Sequence, residues 1–135
     1  MDLHVSHCFL TVHDHDAALP FYRDALGLRV HTDVSMEAMR WLTLTTATQP
    51  ELEIVLMEPH GGPGAADADE LLALAAKGSL NALVFDTDDL DGDFERVRAW
   101  GAEVLQEPMD QFYGVRDCAF RDPSGNMIRL SQAKA

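Results

Sequence analysis

The order strand, helix, strand, strand, strand occurs twice in this chain, and that repeat limits the possible folds more than any other feature of the sequence. In the first half, residues 4–12 read as a strand, with Cys8, Leu10 and Val12 alternating against His7, Phe9 and Thr11. Asp14-His15-Asp16 supplies helix caps, and residues 17–26 carry Leu19, Tyr22 and Leu26 at helical spacing. Pro20 falls near the start of that helix, where a missing N–H costs little, and Gly27 ends it. Strands follow at 28–33, 40–46 and 52–58. In the second half a strand at 81–87 leads into a helix capped by Asp88-Asp89, which runs to Trp100 and is closed by Gly101. Strands at 102–106, 117–121 and 126–131 complete it, the last two joined by a turn at Asp122-Pro123-Ser124-Gly125. Gly27 falls on Gly101, Val12 on Thr87, and Leu52-Glu53-Ile54 on Ile128-Arg129-Leu130, all at nearly one offset.

Two half-units of this kind make one domain over residues 1–135. Module one covers about 4–58, a linker and helix occupy 59–78, and module two covers about 79–132. The linker is Gly- and Pro-rich, from Pro59 to Ala65, and Asp67 with Glu70 resembles a capping box for the helix after it. Acidic side chains outnumber Lys and Arg 23 to 10, for a formal charge of −13, and such a surface repels nucleic acid and anionic membrane. No apolar run approaches a membrane span, and no basic stretch leading into an apolar one marks a signal peptide. Cys8 and Cys118 both sit among apolar neighbours, so buried thiols in a reducing, cytoplasmic compartment are expected. There is no G-x-S-x-G elbow, no neighbour that would mark either cysteine as a nucleophile and no phosphate loop; Gly61-Gly62-Pro63-Gly64 is broken by its proline.

His7-Cys8-Phe9-Leu10-Thr11-Val12, followed by Phe21-Tyr22-Arg23-Asp24-Ala25-Leu26-Gly27-Leu28, resembles the opening of vicinal oxygen chelate proteins, the superfamily of glyoxalases, bleomycin-resistance proteins and dioxygenases. Phe120-Arg121-Asp122-Pro123-Ser124-Gly125-Asn126 resembles the family's closing motif, so the likeness spans about residues 4–131. It implies an α+β fold: two tandem βαβββ modules forming a cup-shaped, mostly antiparallel sheet around a metal or a ligand. A second subunit often completes the cup, so a homodimer is implied as well.

Members that perform metal chemistry place ligands on the first and last strands of both modules, where a divalent ion acts as Lewis acid. By that resemblance His7 and Glu53 take the two positions of module one, while Ala82 and Arg129 take those of module two. Arg129 cannot ligate a metal and would repel one. No cofactor is therefore expected, although a divalent Zn, Ni, Mn or Fe ion held weakly by His7 and Glu53 is the alternative.

The alternation predicts the cup lining directly. Strand one offers His7, Phe9 and Thr11, strand three Trp41, Thr43 and Thr45, strand four Glu53, Val55 and Met57, and the last strand Met127, Arg129 and Ser131. An aromatic and Met-rich wall with few polar groups suits a small organic molecule. Trp41 either stacks on a planar ligand or packs as plain wall. Arg129 either clamps a ligand carboxylate or phosphate, or pairs with Glu53. Tyr113 and Arg116 lie where relatives have a rim loop and either gate the cup or are ordinary surface residues. The other histidines show no ligand spacing, and capping accounts for His13 and His15. The expected function is metal-independent binding and sequestration of an aromatic or amphipathic compound, with ligand contacts from His7, Phe9, Trp41, Thr43, Glu53, Val55, Tyr113 and Arg129. The alternative is a glyoxalase-like lyase or isomerase with His7 and Glu53 as catalytic acid and base.

Overall fold

The computed structural model describes residues 1–37, 39–61 and 65–133. Its elements run β1 (His7–Thr11), α1 (His15–Pro20), β2 (Arg29–Met36), β3 (Met39–Thr46), β4 (Gln49–Met57), α2 (Ala68–Ala76), β5 (Ala82–Asp86), α3 (Leu90–Trp100), β6 (Glu103–Asp110), β7 (Val115–Arg121) and β8 (Met127–Ala133). The strands form two four-stranded sheets, ordered β1-β4-β3-β2 and β5-β8-β7-β6. Each sheet contains one parallel pair, β1 with β4 or β5 with β8, and is otherwise antiparallel. The repeated βαβββ order is thus realised as two sheets with the same strand order. The middle of the predicted linker, residues 62–64, lies outside the described residues.

Both modules start their helix with the same construction. Asp14 and Asp89 cap α1 and α3, accepting hydrogen bonds from the N–H groups of Asp16 and Gly92. A side chain at the end of the last strand then takes the next free N–H: Glu58 accepts from His15 at 2.9 Å, and Gln132 accepts from Leu90 at 2.9 Å. His15 is buried, and its ring reaches the Leu56 carbonyl at 2.7 Å through Nε2 and the Glu58 carboxylate through Nδ1. Capping by Asp14 was legible in the sequence; the use of His15 as an anchor between α1 and β4 was not.

The first helix is shorter than its spacing predicts. Pro20 has no N–H to return to Asp16, so α1 ends there and the chain continues as a π-type turn over Phe21–Ala25, with Leu26 N–H bonded to the Phe21 carbonyl. Strands β2 and β6 are longer than expected. β2 extends to Met36 in its hairpin with β3, and β6 runs through Pro108 to Asp110, which an edge strand tolerates.

One apolar core is shared by the modules, drawing Leu10, Leu42 and Leu56 from the first sheet and Phe94, Phe120 and Ile128 from the second module. The Asp122-Pro123-Ser124-Gly125-Asn126 turn joins them. Asp122 accepts from Tyr22 OH at 2.5 Å and from the Ser124 and Asn126 backbone, Ser124 Oγ accepts from His13 N–H, and Asn126 donates to the Thr11 carbonyl at 2.7 Å. Burial, together with the neighbouring Asp122, holds the Tyr22 hydroxyl protonated well above its ordinary range. Gly125 has φ +103°, and a Cβ there would lie 2.2 Å from the Ala75 carbonyl oxygen, so the turn requires glycine.

Candidate functional site

Strand alternation sends Leu10, Ile54, Leu56 and Ile128 into the core and turns His7, Phe9, Thr43, Glu53, Val55 and Arg129 to the opposite faces of the sheets. On the first sheet the parallel pairing sets His7 against Glu53. His7 Nε2 lies 3.0 Å from Glu53 Oε2, and Ser6 Oγ lies 2.9 Å from His7 Nδ1. Thr43, one strand over, donates its hydroxyl to Glu53 Oε1 at 2.8 Å. Trp41 stands beside His7 with ring centroids 6.3 Å apart, and Phe9 meets the edge of Trp41 at 6.1 Å.

His31 joins this group, although no ligand spacing in the sequence marks it. The β2–β3 register shifts between Val30 and Thr32, which leaves His31 as the extra residue of a bulge. A regular strand would send His31 and Thr32 to opposite faces. Here His31 Nδ1 lies 3.1 Å from Glu53 Oε1 and 2.9 Å from Thr32 Oγ1. Glu53 thus lies between two imidazoles. The Thr43 hydroxyl and then the His31 and His7 rings hold its carboxyl below the usual carboxylate range.

The remaining predicted residues divide. Val55 lies under the same face but is fully buried, so it is floor rather than contact surface. Tyr113 and Arg129 belong to the second module. The expected alternative of an Arg129–Glu53 pair is corrected by the structure: Arg129 Nη1 lies 3.1 Å from Asp117 Oδ2 and donates to Gln106 Oε1 at 3.0 Å. The buried Asp117 also accepts from Gln106, Gln111 and Tyr113. Burial would raise the Asp117 carboxyl, but hydrogen bonds from Gln111 and Gln106 and the charge of Arg129 outweigh it and hold it below the carboxylate range. Asp117 was the sequence's one visible charge in the run Asp117-Cys118-Ala119-Phe120, and that signal could have found it. Arg116 pairs with Asp91 and Asp110, which ties it to α3. Tyr113 and Phe112 stand exposed in an edge-to-face pair on the β6–β7 loop. Cys118 is buried, and that burial pushes its thiol up to about 11, so it is no nucleophile near neutral pH.

Register also corrects the match between modules. Ala82 pairs with Met127 as His7 pairs with Glu53, and Ala119 pairs with Arg129 as Thr43 pairs with Val55. The counterpart of Glu53 is therefore Met127, and Arg129 stands where module one has Val55. The error was one step of alternation, two residues along β8.

Three comparisons bear on this arrangement. The sequence pattern of the Glyoxalase/Bleomycin resistance protein/Dioxygenase superfamily matches residues 4–130. The chain belongs to that superfamily. It is 31% identical over 121 residues to the uncharacterized protein YurT of Bacillus subtilis (strain 168), covering 90% of this chain and 92% of that one. The solved structure of UcmS2 superposes with a TM-score of 0.86 at 32% identity, over 97% of this chain and 98% of the other. TnmS3, described as an antibiotic binding protein from Streptomyces sp. CB03234, superposes with a TM-score of 0.76 at 29% identity, over 98% of each chain.

Members of the superfamily often hold a metal, and the donor set here does not fit one. The nearest ring nitrogens of His7 and His31 each face an oxygen of Glu53, and module two offers Ala82 and Met127 at the matching places. Among the described residues, no group of three or more His, Cys, Asp or Glu side chains is placed to hold a metal ion. No helix among them is long and apolar enough to cross a membrane. A cavity of about 720 Å³ lies elsewhere, between the β3–β4 turn and β5, and includes none of the His7 cluster. The His7 cluster instead lies on an open sheet face, with Phe9 56% exposed.

Proposed function

We propose that this protein binds and sequesters an aromatic or amphipathic small molecule on the open face of its first sheet, without a metal. The observation that carries the reading is the Phe9–Trp41–His7 wall, an unbroken run of rings on an open face beside the polar contact of His7 with Glu53. Likeness to TnmS3, an antibiotic binding protein, supports the same class of ligand. We place the protein in the cytoplasm as a homodimer. A second copy would roof the face, since Phe9, Val34 and Met36 on one sheet and Val84, Leu105 and Met109 on the other are all exposed. In that dimer the exposed Tyr113 reaches the ligand from the partner's second module, while Arg129 stays paired with Asp117 beneath it.

The test uses protein purified without added metal and carrying Trp100→Phe, which leaves Trp41 as the fluorophore. The expected result is Trp41 quenching by 8-anilinonaphthalene-1-sulfonate, with far less than one equivalent of metal by elemental analysis. Near-stoichiometric Zn, Ni, Mn or Fe that is lost in His7→Ala would overturn it in favour of glyoxalase-like chemistry at His7 and Glu53.

A further inference from the structure

The two modules differ in how the last strand is joined on. In module two, Asp122-Pro123-Ser124-Gly125-Asn126 links β7 to β8, and Asp122 reaches across to the Tyr22 hydroxyl of module one. In module one, Ala47 and Thr48 alone link β3 to β4, and neither is acidic. The short turn leaves the space beside it unfilled. That space is the cavity of about 720 Å³, walled by Leu26–Leu28, the β3–β4 turn, β5 and α3. The matching place in module two, against Gly101 and the longer turn, holds about 420 Å³. The larger volume is that of sites for small organic molecules. Tyr22 and Arg96 occupy matching places, at the same sequence distance from the glycine that ends each helical segment. Tyr22 has Asp122 opposite it, whereas Arg96 has no carboxylate from the other module. Among the described residues its guanidinium makes no hydrogen bond, and its one ion-pair contact, Asp93 at 3.8 Å, is on its own helix. A Cβ built on Gly27 would lie 3.8 Å from Arg96 Nη2, so the guanidinium spans from α3 to the facing wall.

We infer that this cavity is a second binding site, for an amphipathic monocarboxylate whose carboxylate pairs with Arg96 and whose apolar body lies on Leu28, Val97 and Leu130. Those three line the cavity and belong to the buried core shared by the modules, so they make an apolar floor. Arg96 is exposed, and water satisfies its guanidinium when the cavity is empty. What selects a ligand is therefore the pairing of that charge with the floor beside it. The bound carboxylate stands to Arg96 as Asp122 stands to Tyr22. A guanidinium presents parallel N–H groups that match the two oxygens of a carboxylate. Two acidic residues also line the cavity and set the charge it accepts. Asp93 stands beside Arg96 and accepts from the Thr87 hydroxyl at 2.5 Å, and Asp86 alternates with Phe85 onto the exposed face of β5. One negative charge is balanced by Arg96, whereas a second is opposed by Asp86 and Asp93, which disfavours phosphate monoesters and dicarboxylates. No member of the His7 cluster lines this cavity, so the inference does not depend on the open-face reading.

The test titrates the intact protein with octanoate, octan-1-ol and octyl phosphate by calorimetry. The three share one alkyl chain and differ in the head group. The wild-type protein is expected to prefer octanoate to the alcohol about tenfold, the size of one hydrogen bond to a charged group in a partly exposed site. In Arg96→Gln the acid falls to the level of the alcohol, and the alcohol is unchanged. In Arg96→Lys, which keeps the charge without the fork, part of the preference returns. A merely structural role for Arg96 would move both affinities together and leave their ratio intact. Methyl NMR of leucine and valine locates the ligand, with octanoate expected to shift Leu28, Val97 and Leu130. Shifts gathered on Val34 and Val55 of the first sheet would place it on the open face and overturn the second site. Failure of octanoate to bind, or a preference that survives Arg96→Gln, would overturn the inference and leave the open-face reading in place. Octyl phosphate binding as tightly as octanoate would overturn the limit to a single charge. Equal denaturation midpoints for the wild type and both variants confirm that the fold is retained.

Discussion

His31 and Leu105 occupy the bulge of the second strand in their respective modules, yet one is tied to a carboxylate and the other faces outward alone. The same contrast holds at two further positions. His7 and Glu53 of module one become Ala82 and Met127 in module two. One step deeper the polarity reverses: Trp41 and Val55 give way to Asp117 and Arg129, which form a partly buried ion pair. The frame beneath does not change in kind. Asp14 and Asp89 cap the helices, and Glu58 and Gln132 brace them from the last strand. The comparison separates two roles. In module one the polar group sits high on the open face, where it can meet a ligand. In module two it is low and closed on itself, and it holds the sheet and its rim loop together through Gln106, Gln111 and Tyr113.

The largest expected effect therefore lies in module two. Asp117→Ala strands the Arg129 guanidinium and removes the acceptor of Gln106 and Gln111, which should destabilise the fold by about 3 kcal/mol in chemical denaturation. Glu53→Gln, on the open face, should leave the denaturation midpoint nearly where it was. Equal losses from the two variants would break the distinction between a structural and a ligand-facing cluster.

Acid sharpens the same contrast. The Asp117 carboxyl titrates below the ordinary carboxylate pKa of about 4 in the folded protein. It thus contributes stability above that ordinary value, and the contribution is lost as pH falls through the lowered folded one. Unfolding free energy measured from neutral pH downward should drop in this acid range, and Asp117→Asn should flatten the part of the drop that belongs to this group. An unaltered acid limb in Asp117→Asn would mean that the pair carries little of the stability assigned to it.

The helix braces predict a smaller asymmetry. Glu58→Ala removes the acceptor of both the His15 backbone and its buried ring and should cost about 2 kcal/mol. Gln132→Ala loses a neutral partner of Leu90 N–H and of the Asp88 carbonyl and should cost about 1 kcal/mol. Parallel denaturation curves check the order. The smallest change is expected from Leu105→His. With Met127 in place of Glu53 there is no carboxylate beside the new ring, so the denaturation midpoint should not shift. A gain in stability in Leu105→His would show that the bulge alone can organise a histidine without the carboxylate.

Much of this was legible in the sequence because alternation and helix punctuation are local. Leu10 against Phe9, or Gly27 and Gly101 after their helices, reveal face and boundary without reference to any distant residue. His7, Trp41, Thr43 and Glu53 were found on one face for that reason. What escaped was whatever depended on pairing between strands. His31 looked isolated because a bulge is a mismatch between two strands, and neither shows it alone. Arg129 was matched to Glu53 because the last strand alternates: a slip of two residues keeps every side chain on its proper face and leaves no trace in the pattern. The partner of Arg129 was likewise out of view, since Asp117 reaches it across the β7–β8 pairing.

The bulge also affects how length variation among similar chains should be interpreted. Removing one residue from β2 near His31 would straighten the strand, and the hairpin with β3 could still close. The histidine would be gone or turned to the other side, while helices, caps and core remained as they are. A single gap at that point, ordinarily dismissed as drift in a surface strand, would therefore mark a chain that has kept the frame and changed what it can hold.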